Sequence, residues 1–220
     1  METTEDKWLA RRRHMVQRDL RARGITDEAV LAAFMDVPRE RFVPLSQASD
    51  AYADHPLSIG CGQTISQPLV VAMMIRELRC SPRHRVLDVG AGSGYQTAVL
   101  SRLVSHVYAV ERLNELTEAA IDALAAFGAD NVTVCTADGT LGLPEEAPFD
   151  GIICAAAAPD VPPSWLAQLV DGGRIVLPVG GPHEQTLRVI ERRGDTFARR
   201  DICPVRFVRL IGQEGWREPE

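Results

Sequence analysis

The chain has 220 residues, of which 45% are apolar and 25% charged, enough for a buried core and incompatible with a disordered or fibrous chain. A formal charge of −6 gives no general attraction to nucleic acid or anionic lipid; no apolar run approaches the ~20 residues of a membrane span, and the acidic Met1–Ala10 has no secretion-signal core. Cys61, Cys80, Cys135, Cys154 and Cys203 form no Cys-x-x-Cys pair and the five histidines are scattered, which argues against a disulfide framework or a metal site and for a reducing cytosol.

Asp6–Arg23 is expected to be helical, with Gly24 as its C-cap. A second helix fits Asp27–Asp36, capped by Thr26 and burying Val30, Leu31 and Phe34. Pro44–Ile65 reads as a long loop, and loops of that length are commonly functional. From Arg85 onward strand and helix alternate. Strands are expected at Val86–Val89, His106–Val110, Val132–Cys135, Phe149–Cys154 and Arg174–Leu177. Helices are expected after the glycines as far as Leu103, at Glu115–Phe127 and around Trp165–Val170. Thr186–Arg192 and Val205–Leu210 are read as two more strands flanking a turn at Arg193–Asp195. This alternation implies an α/β fold, doubly wound around a mostly parallel sheet, with one antiparallel strand contributed by a C-terminal hairpin.

The first strand of the alternation runs into Gly90-Ala91-Gly92-Ser93-Gly94. Glycines there let a ligand approach the backbone at the carboxyl end of the sheet. Tyr95 stands where a dinucleotide fingerprint has its third glycine, and there is no Gly-Lys-Ser/Thr for a triphosphate. Gly-x-Gly-x-Gly after Val-Leu-Asp88-Val instead resembles the first motif of class I S-adenosylmethionine-dependent methyltransferases. Asp88 suits an ammonium, and turn amides suit a carboxylate. Glu111, 23 residues on, ends the second strand, where an acid can accept both ribose hydroxyls. Asp138-Gly139 follows the third strand, where this fold presents an acid to an adenine amino group.

Gly60-Cys61-Gly62-Gln63-Thr64-Ile65-Ser66-Gln67-Pro68, together with Arg85–Ala98, Val37–Val43, Ala147–Asp150, Gly172–Gly180 and Val205–Val208, closely resembles the protein-L-isoaspartate O-methyltransferase family over most of the chain. Read from the residues alone, Ser66 is an N-cap before Pro68, a position that also suits an incoming carboxylate. The resemblance implies a class I methyltransferase, Rossmann-like, with a seven-stranded sheet. Residues 1–220 are expected to form one methyltransferase domain, in which 1–65 supply N-terminal helices and the active-site loop and 66–220 the cofactor-binding core and C-terminal hairpin.

It further implies S-adenosyl-L-methionine as cofactor, with S-adenosyl-L-homocysteine as product, held by Asp88, Gly90, Ala91, Gly92, Ser93, Gly94, Glu111, Arg112, Asp138 and Gly139. Ser66 is the implied catalytic residue, orienting the acceptor carboxylate, while Thr64 and Ile65 line the same pocket. The implied substrates are proteins and peptides carrying L-isoaspartyl, and also D-aspartyl, residues, methylated by a cytoplasmic monomer as a first step of repair through a succinimide. No nucleic acid, membrane or metal enters this reading. A same-family enzyme that converts aspartate of a dedicated peptide to aspartimide is the alternative. Two positions depart from the family pattern: Cys61, at a variable position, and Arg209, where proline is usual. A nucleic-acid amino-methyltransferase fits poorly, because Ala155-Ala156-Ala157-Ala158-Pro159 replaces the Asn/Asp-Pro-Pro-aromatic motif.

Overall fold

The computed structural model describes residues 3–218. Helix α1, Thr4–His14, begins with a capping box between Thr3 and Asp6. It continues as a π-helical turn over Met15–Leu20 and a 3₁₀ turn over Arg21–Arg23, ending at left-handed Gly24. Helix α2, Glu28–Asp36, is capped by Asp27 instead of the expected Thr26, because the Asp27 carboxylate accepts from the N–H groups of Ala29 and Val30 at 2.9 and 3.2 Å.

The segment read as an unstructured loop contains more order than its sequence suggests. A 3₁₀ turn covers Leu45–Asp50, and β1 (Leu57–Gly60) and β2 (Gln63–Ile65) form a hairpin. Gly60, which ends β1, and the two turn residues Cys61 and Gly62 all have positive φ, so the glycine spacing serves the turn. The strands are too short to show a period. Helix α3, Pro68–Leu78, follows directly and buries Leu69, Val71, Ala72, Met74, Ile75 and Leu78.

The main sheet comprises β3 (Arg85–Val89), β4 (His106–Glu111), β5 (Val132–Thr136), β6 (Phe149–Cys154), β7 (Leu169–Gly180), β8 (Gln185–Arg193) and β9 (Thr196–Val205), in spatial order β5-β4-β3-β6-β7-β8-β9. Strands β3 to β7 are parallel and β8 is antiparallel to its neighbours. This is the expected class I methyltransferase sheet. Helices α4 (Tyr95–Ser101), α5 (Asn114–Phe127) and α6 (Pro163–Ala167) connect the strands. Side-chain alternation divides the interior in two: Val86 and Val107 join the core beneath α1–α5, whereas Leu87, Val89 and Ile152 face a second core around Trp165.

Two expected elements are corrected. The helix read as Trp165–Val170 stops at Ala167, because Leu169 pairs with Phe149 and starts β7. The last strand is Thr196–Val205, not Val205–Leu210; Arg193 pairs with Thr196 across a two-residue turn. Being an edge strand, β9 carries Arg199, Arg200 and Asp201 and lacks an apolar signature. The apolar run after it leaves the sheet edge and crosses the carboxyl ends of the parallel strands. There Ala157 N–H donates to Val208 O and Leu210 N–H to Ala157 O, both at 2.8 Å.

Candidate active site

Strand order reverses between β3, followed by β4, and β6 on its other side. In doubly wound sheets ligands bind at the carboxyl ends of the strands at this point. The cleft there is lined by Gly90 and Gly92 after β3, Glu111 at the end of β4 with Arg112 and Leu113 beyond it, Gly139 after β5, Ala155 and Ala156 after β6, and the crossing segment from Val208 to Ile211. Gln63 and Thr64 of the hairpin close its outer side.

The glycine turn is built tightly onto β4. Gly90 and Ala91 both donate to Val110 O, at 2.8 and 3.2 Å. Gly92 N–H donates to Glu111 Oε2 at 3.0 Å, while Glu111 Oε1 accepts from the N–H groups of Arg112 (2.7 Å) and Leu113 (3.1 Å). One carboxylate therefore fixes both the turn and the start of α5. At Gly92, which has φ +55°, a Cβ would lie 3.3 Å from Ile59 Cδ1. At Gly139 it would lie 2.6 Å from Val89 Cγ1.

Asp88 occupies a different place from the one its motif suggests. It is fully buried, and its carboxylate accepts from Gln96 Nε2 at 2.7 Å and Thr97 Oγ1 at 2.6 Å. Burial, opposed by these two hydrogen bonds, pushes its carboxyl up to about 6. It underpins the turn and α4, so any influence on a ligand is electrostatic, through the turn. Asp138 also has structural work: Oδ1 accepts from Thr140 N–H and Oγ1, and Oδ2 from Gln213 N–H at 2.7 Å. It lines a neighbouring recess with Arg112, Ile211 and Trp216. Ala91, Ser93 and Gly94 are absent from the cleft lining; a Cβ on Gly94 would meet Leu124 at 3.2 Å, so that glycine serves packing against α5.

A second cleft of about 470 Å³ opens beside the first. Ser66, Gln67 and Val70 form one wall, Pro204 to Val208 the other, and Pro56 lies at its margin. Thr64, Ala155 and Val208 line both clefts and so mark where they meet. Ile65 does not line this cleft. Successive strand residues point to opposite faces, so Thr64 faces the clefts and Ile65 enters the core. Nor is Ser66 the cap of α3: Gln67 holds the N-cap position, with Pro68 first in the helix. Ser66 lies one residue before that cap, and among the described residues its hydroxyl makes no hydrogen bond, whereas its carbonyl accepts from Arg39 Nη2 at 3.0 Å.

Arg209 is accommodated without the usual proline. It forms a parallel bridge with Ala157 and its guanidinium sits 5.8 Å from the Trp216 ring centroid. Cys61 is exposed on the hairpin turn, 3.1 Å from Glu115 Oε2. The Ala155–Ala156 floor and the Val208–Ile211 crossing were missed as lining residues; the only signal for the latter was the apolar run ending Phe207-Val208-Arg209-Leu210.

A glycine cradle facing an acid at the end of the adjacent strand, with no phosphate-binding lysine, suits the nucleoside and amino-acid parts of S-adenosylmethionine. The fold and site together define a class I S-adenosylmethionine-dependent methyltransferase. The family model for protein-L-isoaspartate(D-aspartate) O-methyltransferase matches residues 10–215. A protein-L-isoaspartate O-methyltransferase 2 of Pelobacter propionicus is 51% identical over 208 residues, covering 94% of this chain and 92% of its own. One from Methanoregula boonei is 50% identical, covering 93% and 94%. Among solved structures, a protein-L-isoaspartate O-methyltransferase aligns with TM-score 0.83 and 29% identity, covering 93% of this chain and 67% of that one. A Plasmodium falciparum structure assigned to the same activity, in complex with S-adenosyl-L-homocysteine, aligns with TM-score 0.78 and 25% identity, covering 90% and 96%. The chain belongs to the protein-L-isoaspartate(D-aspartate) O-methyltransferase family.

Proposed function

We propose that the protein methylates the free α-carboxyl of L-isoaspartyl residues in damaged proteins, using S-adenosylmethionine, and so starts their repair. The observation that carries this reading is the meeting of two clefts at Thr64, Ala155 and Val208, with Ser66 in the acceptor cleft and the glycine turn in the donor cleft. When bound, S-adenosylmethionine supplies a methyl group already activated by its sulfonium.

Little further chemistry is required of the protein. A carboxyl with a pKa near ~4 is ionised at neutral pH, so no general base is needed. The acceptor oxygen would take the methyl group as its bond to sulfur is given up, and no residue of the chain would have to accept a proton. The task of the chain is to align the two partners and exclude water, effects worth up to ~7–11 kcal/mol for well-oriented partners. Ser66 Oγ, free of other hydrogen bonds among the described residues, would donate to the acceptor carboxylate and hold one oxygen in line with the methyl group. Thr64, which lines both clefts, would border both partners. Gly90, Gly92, Glu111, Arg112 and Gly139 would hold the cofactor, and Asp88 and Asp138 would support it from behind and from the rim. D-Aspartyl residues, monomeric action and a cytoplasmic location belong to the same reading; the net charge of −6 supports a protein substrate over nucleic acid, and no described helix is long and apolar enough to cross a membrane.

The test is methyl transfer to an isoaspartyl peptide and to its aspartyl twin, with labelled S-adenosylmethionine. Turnover of the isoaspartyl peptide alone is expected. Preferential methylation of the aspartyl twin would transfer the assignment to aspartimide formation.

A further inference from the structure

Arg39 is an unusual charge for a protein interior. It is fully buried, yet it donates to carbonyls and not to carboxylates: Nε to Ala51 O at 2.7 Å and Nη2 to Ser66 O at 3.0 Å. Nη1 is buried without a hydrogen-bond partner. The acid whose charge acts on it, Asp54, is ion-paired with Arg23. Burial pushes the guanidinium down to about 10, so it remains cationic at neutral pH. Keeping an ion inside without a counter-ion is costly, and a neutral amide could bridge two carbonyls without that cost.

The guanidinium also has a third neighbour. Its central carbon lies over the Tyr95 ring, 4.8 Å from the centroid, a cation–π contact that a neutral amide cannot make. Tyr95 is the first residue of α4, immediately after Gly94 of the donor turn, and is itself buried. The next two residues, Gln96 and Thr97, hold Asp88 beneath that turn. One rigid plane thus touches the backbone of the residue facing the acceptor and the helix that carries the donor turn.

On the reading that Ser66 orients the acceptor, we infer that Arg39 is a positioning residue that locks Ser66 to the α4 end of the glycine turn and so fixes the separation of acceptor and donor. Neither cleft is lined by it. Its loss therefore affects transfer more than the binding of either partner.

The experiment compares Arg39→Lys, Tyr95→Phe and Tyr95→Leu by isoaspartyl-peptide kinetics, S-adenosylhomocysteine calorimetry and thermal denaturation. Arg39→Lys keeps the charge but loses the planar fork that reaches both carbonyls. It is expected to lower kcat by about tenfold or more, with KM and product affinity within about threefold of wild type. Tyr95→Phe keeps the ring and is expected to keep wild-type kcat, whereas Tyr95→Leu is expected to lose about tenfold. Wild-type kcat in folded Arg39→Lys, or in Tyr95→Leu, would overturn the inference and leave Arg39 a structural staple. If Arg39→Lys does not fold, the Tyr95 pair decides. Failure of the wild-type protein to methylate the isoaspartyl peptide would instead refute the functional reading on which this rests.

Discussion

The donor and acceptor sides of the active site are built on different principles. The floor of the donor side comes from one stretch of chain, Val89 to Ala156, in which successive parallel strands each deliver a turn to the same edge, and only its cover is borrowed, from Gln63 and Thr64 and from Val208 to Ile211. Its parts are bonded to one another, with Glu111 serving Gly92, Arg112 and Leu113 at once. The acceptor side joins segments more than a hundred residues apart, Pro56–Val70 and Pro204–Val208, neither of which lies within the parallel strands. Binding a constant cofactor suits a preformed, internally braced cradle. A cleft for varied damaged proteins suits loops laid across the rigid edge of that cradle.

Perturbing the brace tests this division most strongly. Glu111→Ala strands three N–H groups and is expected to lower S-adenosylhomocysteine affinity by about 10- to 100-fold, the equivalent of ~1.5–3 kcal/mol. The peptide KM measured at saturating cofactor is expected to change far less. Equal losses on both sides would show that the two halves are not separately built.

A smaller effect on cofactor affinity, and one that depends on pH, is expected from Asp88. Its carboxyl is raised from 3.8 to about 6, chiefly by burial. The folded state therefore favours the protonated form. That contribution is fully present below about pH 4 and is lost as pH rises through about 6, a change of about 3 kcal/mol for a shift of this size. An ammonium on the bound cofactor favours the ionised form, so S-adenosylmethionine affinity is expected to rise severalfold between pH 5 and 7. Asp88→Asn is expected to flatten both profiles; urea denaturation and calorimetry across that range provide the check.

The smallest expected effect is none. Among the described residues no three His, Cys, Asp or Glu side chains come together as metal ligands. Exhaustive chelation is expected to leave the transfer rate unchanged, and loss of rate restored by added magnesium or zinc would contradict this.

The same division explains what could be read in the sequence. Strands β3, β4 and β6 lie inside the sheet, are largely buried and appear as apolar runs between glycine and helix signals. Their positions and the glycine turn were legible for that reason. The β1–β2 hairpin has strands of four and three residues, too short to show a period, and β9 is polar because it lies at the sheet edge. A motif also gives a residue type without its direction. Asp88 turns inward to Gln96 and Thr97, Ile65 faces the core, and Ser66 lies two residues ahead of the helix it seemed to cap. Arg39 sat in a recognisable segment, but only the fold brings it beside Ser66 and Tyr95.

The most direct test of the central claim is Ser66→Ala, with isoaspartyl-peptide kinetics, S-adenosylhomocysteine calorimetry and a denaturation curve on one preparation. Because Ser66 is not the cap of α3, stability is expected to stay within about 0.5 kcal/mol of wild type. Cofactor affinity is expected to be unchanged, while kcat/KM falls by roughly 10²-fold or more. Near-normal kcat/KM in the folded variant would contradict the assignment of this serine to the acceptor.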